Sequence, residues 1–270
     1  MVVQHNLTAM NANRNLSTVT GAQQKSTEKL SSGYRINRAA DDAAGLSISE
    51  KLRSQIRGLD KAASNSQDGI SLVQVAEGAL NETHSILQRM NELATQAAND
   101  TNTSTDRASI QKEMDQLTSE IDRIRSTTQF NSMNLLDGTF KNMKLQVGAL
   151  SGQSIVISID NMNASSLKIS GLKVSSFSSA GKAMAAIQKA INSVSVQRSK
   201  LGAIQNRLEH TINNLQTTSE NTSAAESRIR DVDMATEMVE YSKNNILAQA
   251  GQSMLAQANQ ATQGVLSLLQ

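Results

Sequence analysis

No proline interrupts this chain of 270 residues, and over most of its length apolar side chains return in alternating steps of three and four. Proline inside a helix removes a hydrogen bond and clashes with the preceding turn. A chain without it can run long unbroken helices. The three-four step is the period of a helix burying one narrow stripe against another. From Ser71 the stripe reads Leu72, Ala76, Ala79, Thr83, Ile86, Met90, Leu93 and Ala97, a helix of about 28 residues. After a polar run from Asn99 to Thr105 it resumes at Ile110, Met114, Leu117, Ile121 and Ile124. So short a connection predicts two antiparallel neighbours.

The segment from Phe130 to Thr139 breaks the period and leads into Met143, Leu145 and Val147, then Ile155, Ile157 and Ile159, which alternate in the manner of short strands. A Gly/Ser-rich patch from Ser165 to Gly181 follows, with Leu167, Ile169, Leu172 and Val174 as expected half-buried strand residues. Met184, Ile187, Ile191, Val194, Leu201, Ile204, Leu208, Ile212 and Leu215 then restore the helix, which nothing stops before about Arg230. Its span is roughly 70 Å.

The two ends carry stripes of their own. Leu247, Ala250, Met254, Ala258, Ala261, Val265 and Leu268 step by 3, 4, 4, 3, 4 and 3, and Val3, Leu7 and Met10 form a shorter seam at the start. Neither could bury its stripe alone in water. Both need partners. Gln249, Gln252, Gln257, Asn259, Gln260 and Gln263 lie beside the seam, and 248–270 carries no charged side chain, so close packing there buries no ions.

Composition supports this reading. Aromatic residues make up 2%, with no Trp, 2 Tyr and 3 Phe, so burial falls to Leu, Ile, Val, Met and Ala in thin helix-on-helix contacts. The expected fold is mainly α: an elongated bundle of long helices with a terminal coiled coil and a small β-hairpin element in the middle. Its expected parts are residues 1–40 and 231–270 as the halves of an inner coiled-coil domain, 41–140 and 181–230 as a helical bundle domain, and 141–180 as a short β-rich segment. Cysteine is absent, which removes disulfides and thiolate chemistry. The 26 basic and 24 acidic residues read as mixed along the chain, giving no footprint for nucleic acid or an anionic membrane. No apolar run approaches the roughly 20 residues of a membrane span, and the opening MVVQHNLTAMNANRNLS has neither the charged start nor the apolar stretch of a cleaved secretion signal.

Sites of chemistry are scarce. Asp41 and Asp42 are adjacent, point about 100° apart on a helix and have no third ligand nearby, which makes a turn the better reading than a metal site. His5, His84 and His210 are scattered, and no phosphate loop or nucleophile elbow occurs. No enzyme, cofactor or metal is expected.

The segment LSSGYRINRAADDAAGLSISEKL, Leu30 to Leu52, closely resembles the signature near the start of bacterial flagellins. The resemblance continues through LQRMNELATQAAND, Leu87 to Asp100, and EIDRI with TTQFNSMNLLDG, Glu120 to Gly138, and returns in SRIRDVDMATEMVEYSKNNIL, Ser227 to Leu247. It covers about the first 140 and last 90 residues. The opening is similar to flagellins of anaerobic Gram-positive bacteria. The end departs from the family, lacking a proline before the last apolar turn and closing on Gln270.

This resemblance implies a subunit polymerising into the flagellar filament, its paired termini lining the filament interior and its middle facing outward as a minimal outer domain. It implies secretion by the flagellar type III system without a cleaved signal. The implied partners are other copies of the chain, an export chaperone on the C-terminal helix, the filament cap and hook-junction proteins, and an animal Toll-like innate receptor. Gln88, Arg89, Leu93, Gln96 and Glu113 match the receptor-contact positions, and the same surface serves as a contact between subunits. Folding the hairpin about Asp100 to Thr105 brings Arg89 beside Glu113. An alternative is the hook-junction protein, which shares related termini but forms a short ring; the continuous inner signatures favour flagellin. An enzyme in the outer region is disfavoured, since no His lies between Asn99 and Leu208.

Overall fold

The computed structural model describes residues 6–267, the last seven by backbone alone. Five helices and two small hairpins follow in the order α1 (Leu7–Ser32), α2 (Ala43–Ala97), α3 (Ser104–Thr127), β1 (Gln129–Phe130), β2 (Met133–Asn134), β3 (Met143–Gln146), β4 (Ser154–Ile157), α4 (Phe177–Arg230) and α5 (Met234–Ser267). The chain divides into two compact units. One joins residues 1–55 to 221–270, and the other is 56–220. No helix among the described residues is long and apolar enough to cross a membrane.

In the 56–220 unit, α2, α3 and α4 share one core. Leu80, Leu87 and Met90 of α2 meet Met114 and Ile121 of α3 and Ile187 and Val194 of α4, all at most 1% exposed. The buried positions of α4 step as Ala180, Ala183, Ile187, Ala190, Val194, Gln197 and Leu201, a strict alternation of three and four. α2 and α3 run antiparallel, because Arg107 Nε donates to the Ala97 carbonyl at 3.0 Å and Arg89 reaches Glu113 twenty-four residues on. α2 and α4 are antiparallel too, with Ser219 bonded to Asp60 at 2.9 Å and Arg198 paired to Glu77 at 3.6 Å. α3 begins on a reciprocal cap: the Thr103 hydroxyl accepts from Asp106 N–H while the Asp106 carboxylate accepts from Thr103 N–H.

The first hairpin turns on Asn131 and Ser132, both at positive φ, as a two-residue primed turn requires. The second pairs Met143 with Ile157 and Leu145 with Ile155, and lays Leu145 so close to Gly69 that a methyl there would overlap its Cδ2. Strand structure was expected to continue through Leu167, Ile169, Leu172 and Val174, but 158–176 forms turns. Its buried residues, Ile159, Met162, Ala164, Leu167, Ile169 and Val174, join the core without a ladder. Side chains of distant helices take over the backbone groups a ladder would satisfy. Gln111 donates to Leu172 O and accepts from Val174 N–H, both at 2.9 Å; Asp122 accepts from Ala164 N–H at 3.0 Å; buried Gln197 donates to Ser158 O at 3.1 Å.

The other unit is built on α1 and α5, again antiparallel. Asn6 donates to Ala258 O at 2.9 Å, Lys29 pairs with Glu237 at 3.3 Å, and at the far end Arg35 N–H donates to Arg230 O at 2.7 Å while Val232 N–H donates to Gly33 O at 3.0 Å. Gly33 ends α1 at φ +74, a left-handed cap that glycine adopts most readily. Asp41 and Asp42 serve the turn before α2. Asp41 accepts from the N–H groups of Arg38 and Asn37 at 2.9 and 3.2 Å, which hold its carboxyl below the usual carboxylate range. Asp42 Oδ1 caps the first turn through Gly45 N–H at 2.8 Å.

Candidate functional site

α1 and α5 each carry two stripes, an inward one of mixed size and an outward one that includes large apolar residues. On α5 the covered positions are Tyr241, Asn244, Ala248, Gly251, Leu255 and Ala258. On α1 they are Ala9, Ala12, Leu16, Val19, Gln23, Ser26 and Leu30. Both step by three and four. The contact is close: a methyl on Gly251 would sit 3.3 Å from Leu16 Cδ1. Only Ser26, Asn244 and Ala248 of these stripes are fully buried.

Further large apolar residues lie beside the inward stripes and face out. Leu7 is 69% exposed and Met10 65%, and on α5 Met238, Val239, Ile246, Leu247 and Met254 are exposed as well. Of the seam read from the sequence, Leu7, Met10, Leu247, Ala250 and Met254 thus stand on the outer surface of the pair, and Ala258 alone borders the inner contact. Ala261 and Val265 continue the α5 backbone with undescribed side chains; Val3 and Leu268 lie outside the described residues. The inner stripe mixes Ala, Gly, Ser and Asn with Leu16, Val19, Leu30 and Leu255, so hydropathy does not single it out beside the Leu and Met of the outer face. Its regular spacing was the available signal.

A second surface lies on the α2–α3 hairpin. Arg89 donates to Glu113 Oε1 through both Nε (3.1 Å) and Nη2 (3.0 Å), and to Glu92 Oε2 through Nη1 (3.2 Å). Glu113, then Glu92, hold the guanidinium more firmly protonated than usual. Arg89 is 52% exposed and Glu113 46%, so the fork is a presented feature. Gln88 and Gln96 are exposed on the same helix, Gln88 bonded to His84 and the Gln96 backbone carbonyl accepting from the Asn102 side-chain amide. Leu93 is 2% exposed and belongs to the core beneath them. Among the described residues no three His, Cys, Asp or Glu gather as a metal would need.

A helix pair that leaves a row of large apolar side chains on its outer surface defines a structural, self-associating class of protein. Comparison with known proteins narrows the class. The bacterial flagellin N-terminal helical region matches residues 3–141 and the C-terminal helical region residues 184–269. A flagellin of Halalkalibacterium halodurans is 57% identical over 271 residues, and one of Bacillus subtilis 53% over 304, each alignment covering the whole of both chains. The crystal structure of Bacillus cereus flagellin superposes with a TM-score of 0.52 at 34% identity, covering 60% of this chain and 94% of that one. The chain belongs to the bacterial flagellin family. It is a structural subunit of the extracellular flagellar filament, polymerising with copies of itself, and is not an enzyme.

Proposed function

We propose that polymerisation is driven by coupled folding and packing of α1 and α5. The observation that carries this is the exposed stripe of Leu7, Met10, Ile246, Leu247 and Met254 on a helix pair whose own contact fully buries only Ser26, Asn244 and Ala248. Ordering a residue costs about 1 to 2 kcal/mol of backbone entropy, and the thin α1–α5 contact offsets little of it. Burying one Leu, Ile or Met against a neighbouring subunit contributes roughly 1.5 to 3 kcal/mol. The ends of an isolated subunit therefore fray, and order as it enters the filament. Electron microscopy of the full chain beside residues 56–220, seeded in moderate salt, tests this. Long filaments from the full chain and none from the core support it. Filaments from the core alone would sink it, and short rings from the full chain would favour the hook-junction reading.

The same exposed α5 stripe suits an amphipathic-helix groove on an export chaperone. Deleting residues after Arg230 is expected to abolish that binding. The cap and hook-junction proteins would engage the ends of the same filament. A further reading rests on the exposed Arg89–Glu113 fork with Gln88 and Gln96 beside it, which offers charge and hydrogen bonds to an animal Toll-like receptor as well as to a neighbouring subunit. As an ion pair it contributes at most about 1 kcal/mol to stability. Arg89→Ala should therefore leave folding intact and reduce receptor signalling; unchanged signalling together with failed assembly would leave only the subunit contact.

A further inference from the structure

Charge is balanced over the whole chain at net +2, yet residues 161–208 contain seven basic side chains and not one acidic residue. The sequence reading of mixed charges fails over this stretch, and the rest of the chain is net acidic. Two of the seven are neutralised by carboxylates from outside the stretch, Arg198 by Glu77 and Lys200, loosely, by Asp160 at 3.8 Å. Among the described residues, Lys168, Lys182 and Lys189 make no ion pair, and they line one open groove of about 470 Å³ between the 164–170 turn and α4, together with Ser166, Leu167 and Ser193. No carboxylate lines it. Lys182 and Lys189 stand two turns apart on one helix face, about 10.5 Å along the axis, and Lys168 faces them from the turn.

Lys168 occupies an unusual position. Residues 164–167 make a single helical turn closed by Ile169 N–H donating to Ala164 O at 2.9 Å, and Lys168 sits at the left-handed closing position with φ +57. That position favours glycine. A lysine there adds nothing to the turn and places a cation on the rim of the groove.

We propose that this groove binds a linear acidic polysaccharide, its sulfate or carboxylate groups spaced along Lys168, Lys182 and Lys189. Lys182 and Lys189 are anchored about 10.5 Å apart along the helix, a spacing that suits charges repeated along a chain. All three are lysines, point charges on flexible stems, where recognition of phosphate forks or base edges would favour arginine. No aromatic side chain lines the groove for a base to stack on, as single-stranded nucleic acid sites require. The filament's extracellular position puts the groove where acidic glycans occur.

The test uses the full chain, held monomeric at low concentration and monitored by light scattering. A fluorescent heparin fragment is titrated at low salt and followed by anisotropy. The double variant K182A/K189A should weaken binding about tenfold or more, a loss of roughly three- to fivefold per lysine, and affinity should fall steeply with added salt. Lys168→Gly separates binding from structure: its melting temperature should hold or rise while affinity drops about threefold. A control, K112A/K141A, removes two lysines elsewhere in the same unit and should bind as the parent does. Unchanged binding in K182A/K189A, or an equal loss in the control, would overturn the proposal. A single-stranded oligonucleotide of matched charge binding as tightly through the same lysines would overturn the glycan assignment.

Discussion

At Gly58 a methyl group would land 2.9 Å from Ala149 Cβ and 3.3 Å from its Cα, and a backbone atom has nowhere to retreat. Gly58→Ala should gain helix propensity yet lose overall, by about 1 to 2 kcal/mol, because overpacking lifts the hairpin end off α2. Chemical denaturation of the full chain measures it. Asp233 is the residue to watch as pH falls. Its carboxylate accepts from the Thr236 hydroxyl at 3.0 Å and from the N–H groups of Thr236 and Ala235, and these bonds hold its carboxyl below the usual carboxylate range. A group with a depressed folded pKa binds fewer protons folded than unfolded, so its stabilisation is complete above the unfolded value and disappears as pH drops through the folded one. Thermal melts in that acid window should therefore fall more steeply for the natural chain than for Asp233→Asn, and parallel curves would show that the cap does not respond to pH.

Among the elements, the α1–α5 pair depends on close approach. Replacing Gly251 with Leu puts a branched side chain where even a methyl meets Leu16 at 3.3 Å, so Gly251→Leu should separate the pair and remove helical signal from the ends while the 56–220 core melts as before. Circular dichroism with a melt on each variant reads both. The long helices were legible in the sequence, since Ile187, Val194, Leu201, Leu208 and Leu215 mark the face that α4 buries, and the Leu145, Ile155, Ile157 alternation marked the second hairpin. The 158–176 turns were not. What holds them, Gln111, Asp122 and Gln197, lies some 40 to 60 residues away in sequence for each bond, and period-two reasoning sees only neighbours. The fork of Arg89 and Glu113 was legible because hairpin geometry fixes which residues lie side by side, whereas the burial of Leu93 depends on α4 and on the 158–176 segment packing over the same core.

For the molecule as a whole, the absence of cysteine makes each single-cysteine variant a clean reporter. Leu247→Cys should react quickly with a thiol reagent in the dispersed subunit and at least tenfold more slowly in filaments, and equal rates would mean that assembly leaves the stripe uncovered. On α5 the centre of the outward set Leu247, Ala250 and Met254 is turned from the centre of the inward set Asn244, Ala248 and Gly251 by about the 100° that a helix turns per residue. A single residue inserted just before Ile246 would swing Leu247, Ala250 and Met254 toward α1 and Ala248 and Gly251 toward the outside. Such a chain would satisfy itself and have little to offer its neighbours, so the count of residues along this helix works like a reading frame that decides whether a subunit is sociable or solitary.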